Sequence, residues 1–127
     1  MKSYLKLIII LLLATGCNSD NQEPVDLKST CGVENPTEDL GWLKNEIEDR
    51  ERNVTGLSKY RYIKLGTFNN KAVIIYANCC PTCNSVYPVY NCEGEFIGII
   101  GNRNEDIPFD ILSEGEVIWK TNNSECF

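Results

Sequence analysis

Three cysteines within five positions, Cys79-Cys80-Pro81-Thr82-Cys83, close an apolar run that begins at Ala72. Four more stand at Cys17, Cys31, Cys92 and Cys126, and the chain contains no histidine. These two facts constrain the fold and its chemistry more tightly than the hydrophobic pattern does. Without histidine there is no Ser-His-Asp or Cys-His arrangement and no His-containing zinc site. Most of what can be said then depends on the thiols, whose state follows the redox compartment.

The first residues address that question. Met1-Lys2-Ser3-Tyr4-Leu5-Lys6 is a positive tip, Leu7–Leu13 is a short apolar run, and small residues Ala14-Thr15-Gly16 precede Cys17. This is the layout of a secretory signal peptide over residues 1–16. The run is less than half of the roughly 20 apolar residues that a membrane span needs. Leu13-Ala14-Thr15-Gly16-Cys17 resembles the lipobox of bacterial lipoproteins, with Ala14 where Leu is commoner. The resemblance implies a diacylglyceryl group on Cys17, cleavage just before it, and acylation of the new amine by a chain such as palmitate. Several acyl chains would anchor the protein stably in a membrane. Residues 17–30 then read as a lipidated, flexible tether, polar and with a single proline. Its acidic and polar start is similar to Bacteroidota-type lipoproteins. The expected location is the outer membrane, with periplasmic and surface facing both open.

Composition limits the partners. Removing 16 of 127 residues leaves 111, enough for one domain with a modest core. The leader takes Lys2 and Lys6, so 12 basic residues fall to 10 against 18 acidic, a net charge of −8. Such a surface repels nucleic acid, and no nucleic-acid partner is expected.

Residues 31–127 are expected to form a small disulfide-rich α+β domain. Asn35-Pro36-Thr37-Glu38 reads as a helix start, with Asn35 as N-cap and Glu38 closing a capping box. Leu40, Leu43 and Ile47 continue at helical spacing to about Arg52, with Glu46–Arg50 and Glu48–Arg52 pairs on the wet side. From Lys59 the period changes to two, giving a strand, an Asn69-Asn70 hairpin turn and a return strand, Lys71–Asn78, that is apolar on both faces. Val86–Tyr90 is a third strand, put at an edge or a bulge by Pro88, and Phe96–Ile100 a fourth. Pro108–Leu112 fits either a helical turn or a strand, and Glu116–Lys120 is a last strand. The expected fold is one N-terminal helix packed on an antiparallel β-meander of four to five strands, stapled by disulfides.

With Cys17 acylated, Cys31, Cys79, Cys80, Cys83, Cys92 and Cys126 remain, an even set that suits three disulfides in an exported domain. Cys79 and Cys80 should point to opposite faces of a strand end and serve different partners. A Cys83–Cys92 clip would leave Cys79 and Cys80 to take Cys31 and Cys126. A second use is redox chemistry. Ala77-Asn78-Cys79-Cys80-Pro81-Thr82-Cys83 resembles the active-site approach of thioredoxin-like proteins, which implies Cys80 as nucleophile and Cys83 as resolving thiol. Against it, β-prone residues follow where that family has a helix. A third use is tetrathiolate zinc through Cys79, Cys80, Cys83 and Cys92. No resident metal or cofactor is expected.

Tyr60, Tyr62, Tyr76, Tyr87, Tyr90 and Trp119 could line a sugar- or peptide-binding face, although strand aromatics commonly just cover a sheet. Glu105, Asp106 and Asp110 lack EF-hand spacing and read as solvated loop acids. Cys31–Pro36, the helix, Asn78–Pro81 and Val89–Gly94 together resemble small, uncharacterised Cys-rich lipoproteins of the same bacterial group. The expected function is a lipid-anchored, non-enzymatic binding or envelope accessory module for a protein, peptide or glycan. The alternative is an envelope thiol–disulfide oxidoreductase using Cys80 and Cys83.

Overall fold

A computed structural model describes residues 30–101 and 106–127. The leader, Cys17, most of the tether and Glu105 lie outside them. The fold grows from the hairpin. Asn69 and Asn70 both adopt positive φ, 50° and 61°, which matches the turn twist to that of the flanking strands. Strands β1 (Arg61–Phe68) and β2 (Lys71–Asn78) therefore pair without a slip, from Phe68↔Lys71 to Arg61↔Asn78. Strands β3 (Tyr87–Tyr90) and β4 (Phe96–Ile100) form a second antiparallel pair, which joins β2 through Ile74↔Tyr90 and Ile75↔Val89. The last strand, β5 (Glu116–Lys120), pairs with β1.

The resulting five-stranded antiparallel sheet has the order β4-β3-β2-β1-β5. It corrects the simple meander, because the chain leaves β4 at one edge and crosses the sheet to add β5 at the other. β2 is the middle strand, which explains why it is apolar on both faces. Strand β3 is not an edge strand, but it carries a bulge between Val89 and Tyr90, next to Pro88, whose side toward β2 is left unpaired.

Alternation along the strands sends Ile63, Leu65, Ala72 and Ile74 to one face, and Tyr62, Val73, Ile75 and Ala77 to the other. The first face meets Leu43 and Ile47 of α2 (Gly41–Arg52). A side chain buried as fully as Leu43 contributes about 1.5–3 kcal/mol. The second face is covered by Ile107, by Ile111 and Leu112 of α3 (Asp110–Glu114), and by Cys126. Pro108–Leu112 thus resolves as the approach to a short helix. The molecule is mostly sheet, with short helices and disulfides on both faces.

The helical segment departs from expectation at its start. It is split into α1 (Pro36–Asp39) and α2, with an extended Leu40 between them. Asn35 makes no side-chain cap; its own N–H donates to Asp39 Oδ2 at 2.9 Å, the return bond expected of Glu38. Glu38 instead accepts from Lys44 Nζ at 3.0 Å. Arg50 pairs with Glu46 at 2.7 Å, while Arg52 approaches Asp49 at 3.8 Å rather than Glu48. Among the described residues no helix is long and apolar enough to cross a membrane.

Candidate functional site

The six cysteines of the domain form three disulfides: Cys31–Cys92, Cys79–Cys126 and Cys80–Cys83. Cys79 and Cys80 do serve different partners, as opposite faces require. The expected Cys83–Cys92 clip is not formed, and Cys80 reaches neither Cys31 nor Cys126. The reason is strand length: Cys83 precedes β3 and Cys92 follows it. Extended chain rises about 3.3 Å per residue, so four strand residues already separate the two by roughly 10 Å, beyond the reach of a disulfide. Cys92 instead meets Cys31 at the entrance to α1, with Cα atoms 5.4 Å apart. Trp42 Nε1–H donates to the Cys92 carbonyl at 2.8 Å beside it. On the opposite face Cys126 folds back to Cys79 at the end of β2. The four cysteines of the tetrathiolate reading are distributed over all three bonds. Among the described residues no group of three or more His, Cys, Asp or Glu is placed to hold a metal ion.

The short Cys80–Cys83 bond borders a cleft of about 410 Å³. Its origin lies in Pro88. In the register of the sheet Pro88 stands opposite Tyr76, and having no N–H it cannot complete the ladder. Pairing between β2 and β3 is confined to two positions, and the strands part beside Tyr76, Ala77 and Asn78. The diverging loop is held in place by Asn78, whose Oδ1 accepts from Ser85 Oγ at 2.7 Å and from the Cys80 N–H at 3.3 Å.

Two guanidinium groups, Arg50 and Arg61, line this cleft, and no carboxylate does. Arg50 comes from the last turn of α2. Its Nε donates to Glu46 Oε1, and its guanidinium carbon lies 4.3 Å from the centroid of the Tyr76 ring, a cation–π arrangement that fixes the side chain. Arg61 has no ion pair or hydrogen-bonded side-chain partner among the described residues. Burial, with a smaller push from the Glu46 carboxylate and an opposing one from Arg50, raises the Tyr76 phenol well above the ordinary tyrosine range. It is therefore a neutral phenol at physiological pH, able to donate. Leu57 and Val86, 54% and 46% exposed, add an apolar rim.

The aromatic residues do not gather on one face. Tyr76, Tyr90 and Trp119 pack on the side of α2, while Tyr60, Tyr62 and Tyr87 pack on the other. Asp106 and Asp110 are exposed. A larger hollow, about 570 Å³, lies at the other end of the sheet beside Asn69, Asn70 and Lys71, but Glu93 shares its wall with Lys71. It lacks a consistent charge. The sequence reading placed Arg50 only in a wet-side pair with Glu46 and did not single out Arg61, although both line the cleft. The usable signal was Pro88, which marks where β2 loses its neighbour.

The chain matches no protein-family model, no curated protein and no solved structure.

Proposed function

We propose that the chain is an exported binding module, non-enzymatic, anchored in the outer membrane by lipid on Cys17 and presenting its stapled sheet domain on a polar tether. The observation that supports this most is that all six cysteines of residues 31–127 are engaged in disulfides, a pattern that belongs to an oxidising compartment. The cleft beside Cys80–Cys83 is the binding place in this reading. Metabolic labelling with radioactive palmitate tests the anchor. Label is expected on the wild-type chain and lost in Cys17→Ala, and globomycin should cause the uncut form to accumulate. Unlabelled wild-type protein would remove the anchor from the proposal. Intact mass after alkylation without reduction tests the staples: no added alkyl group is expected on residues 31–127.

One observation favours a second reading, thiol–disulfide exchange. Cys80 and Cys83 line a cleft that also holds two arginines, and nearby cations stabilise a thiolate. A substrate dithiol would be oxidised to its disulfide while the Cys80–Cys83 bond takes up two electrons and two protons to become a dithiol. Against this, the chain from Cys83 to β3 forms no helix whose N-terminus could lower the Cys80 pKa. Equilibration in glutathione buffers separates the two readings. Ready reduction of this pair, with faster oxidation of an added peptide dithiol, favours exchange; resistance under native conditions favours the binding module.

A further inference from the structure

The geometry points to a ligand class for the cleft, a small carboxylate bearing an apolar or aromatic group, held by Arg61 and Arg50. This inference rests on the binding-module reading and deepens it. The chain carries 18 acidic against 12 basic residues, so an average hollow on its surface should be acidic. The cleft between β2 and β3 is the reverse, with two arginines and no carboxylate among its lining residues.

The two cations have different duties. Arg50 is already committed through Nε to Glu46 and is held against Tyr76, so it presents a fixed, partly neutralised charge. Arg61 stands at the end of β1, paired in register with Asn78, and its planar fork has no acceptor among the described residues. A guanidinium with both outer edges open matches a carboxylate with two parallel hydrogen bonds. A doubly charged phosphate would call for more positive charge or a nest of backbone N–H groups. One free arginine suits a single negative charge. The remainder of the ligand is set by Leu57, Val86 and Pro88, which offer an apolar rim, and by Tyr76 on the α2 side. A volume of about 410 Å³ lies at the small end of ordinary ligand sites. The carboxylate could be that of a free aromatic acid or the C-terminus of a peptide, and the two share the same recognition.

The test uses the oxidised, full-length chain in a neutral detergent, with the arginine Nε–H and backbone amide resonances followed by NMR. The probes are 3-phenylpropionate, its amide, and acetyl-Gly-Gly-Phe as free acid and as amide. The expected result is saturable movement of the Arg61 Nε–H and of the Cys80 and Val86 amides with the acids, and at least about tenfold weaker binding of the amides, since a charge-assisted pair is lost. Arg61→Gln should weaken the acids by a similar factor, while Arg61→Lys restores part of the loss. A peptide acid that binds much better than phenylpropionate identifies a chain terminus as the source; the reverse identifies a free acid. Equal binding of acid and amide, or indifference to Arg61→Gln, would overturn the ligand class while leaving a binding cleft. Failure of all four probes to move these resonances would overturn the carboxylate site, and the palmitate and alkylation experiments would still decide the module itself.

Discussion

At Gly94 a single atom decides whether the β3–β4 turn can lie against the helix. Its φ is +84°, and an added Cβ would come within 2.8 Å of Trp42 Cδ2. The turn is otherwise fastened by Asn91, whose Oδ1 accepts the N–H groups of Glu93 and Glu95 at 3.1 and 2.8 Å. Moving Gly94 would therefore move Trp42, and with it the bond from Trp42 Nε1 to the Cys92 carbonyl. Gly94→Ala combines left-handed strain with overpacking, and the expected loss is about 2–3 kcal/mol. Urea denaturation should show a lower midpoint with the slope unchanged, and tryptophan emission should shift as the indole is displaced. A midpoint equal to wild type would mean that the turn relaxes without cost. Tyr76 and Arg50 show the same dependence on neighbours. Neither has an unusual identity, and their ring-to-cation contact exists only because α2 crosses the end of β2.

Among the elements, the three disulfides differ in what they tie. The Cys31–Cys92 bond spans 61 positions and joins the helix entrance to the sheet, whereas Cys80–Cys83 spans 3 within one loop. Loop entropy gives roughly 4 kcal/mol for the long connection and about 2 for the short one. Paired serine replacements should follow that order in urea midpoint, with Cys31→Ser/Cys92→Ser much the more damaging. Equal losses would show that the short bond is holding more than its own loop. The C-terminal segment makes a separate prediction. It is secured to the 3-10 turn Ser58–Tyr60 by the bond from Thr121 Oγ1 to the Ser58 carbonyl and by Lys59–Glu125 at 2.8 Å. Lys59 raises its pKa from 10.5 chiefly by donating to Glu125, and Glu125 falls below 4.5 chiefly by accepting from Lys59. A lowered carboxylate stabilises the fold above its unfolded pKa and loses that contribution as pH falls through the folded value. A raised ammonium stabilises below its unfolded pKa and loses that contribution as pH rises through the folded value. The Tm difference between wild type and Lys59→Gln should therefore be greatest at neutral pH and close at both extremes, with 4.5 and 10.5 marking where the two losses begin. A difference independent of pH would assign the effect to packing of the lysine stem. These elements also show what the sequence made legible. Strand period, the Asn69-Asn70 turn and the spacing of Leu43 and Ile47 are local signals, and they located β1, β2 and the body of α2. The break at Leu40, the return of β5 to the β1 edge and the cysteine partners depend on which distant ends meet. The cleft shared that difficulty, since Arg50 and Arg61 become neighbours only after the hairpin and helix have packed.

The whole molecule is a sheet with a thin cover on each face, and one long disulfide fastens each cover. Leu43 and Ile47 represent nearly all of the fully buried helix surface on one side, while Ile107, Ile111 and Leu112 serve the other. Cys31–Cys92 holds the first cover to the β3–β4 turn, and Cys79–Cys126 holds the C-terminal end to β2. The two loops interlock along the chain, because Cys79 lies between Cys31 and Cys92, and Cys126 lies beyond both. By the loop-entropy model each contributes about 4 kcal/mol, comparable together with the 5–15 kcal/mol that separates a domain from its unfolded chain. Sharing of chain between the loops makes the sum smaller than the parts, yet it remains a large share of the margin of a domain this size. Complete reduction should consequently lower the Tm by tens of degrees and leave the chain without fixed side-chain packing at physiological temperature. Near-UV circular dichroism before and after reduction and alkylation reads this directly, with Trp42 and Trp119 as reporters on the α2 face. Retention of the near-UV signal after full alkylation would mean that the two covers hold the sheet without their cross-links. The disulfides would then mark the compartment but would not be a condition of folding.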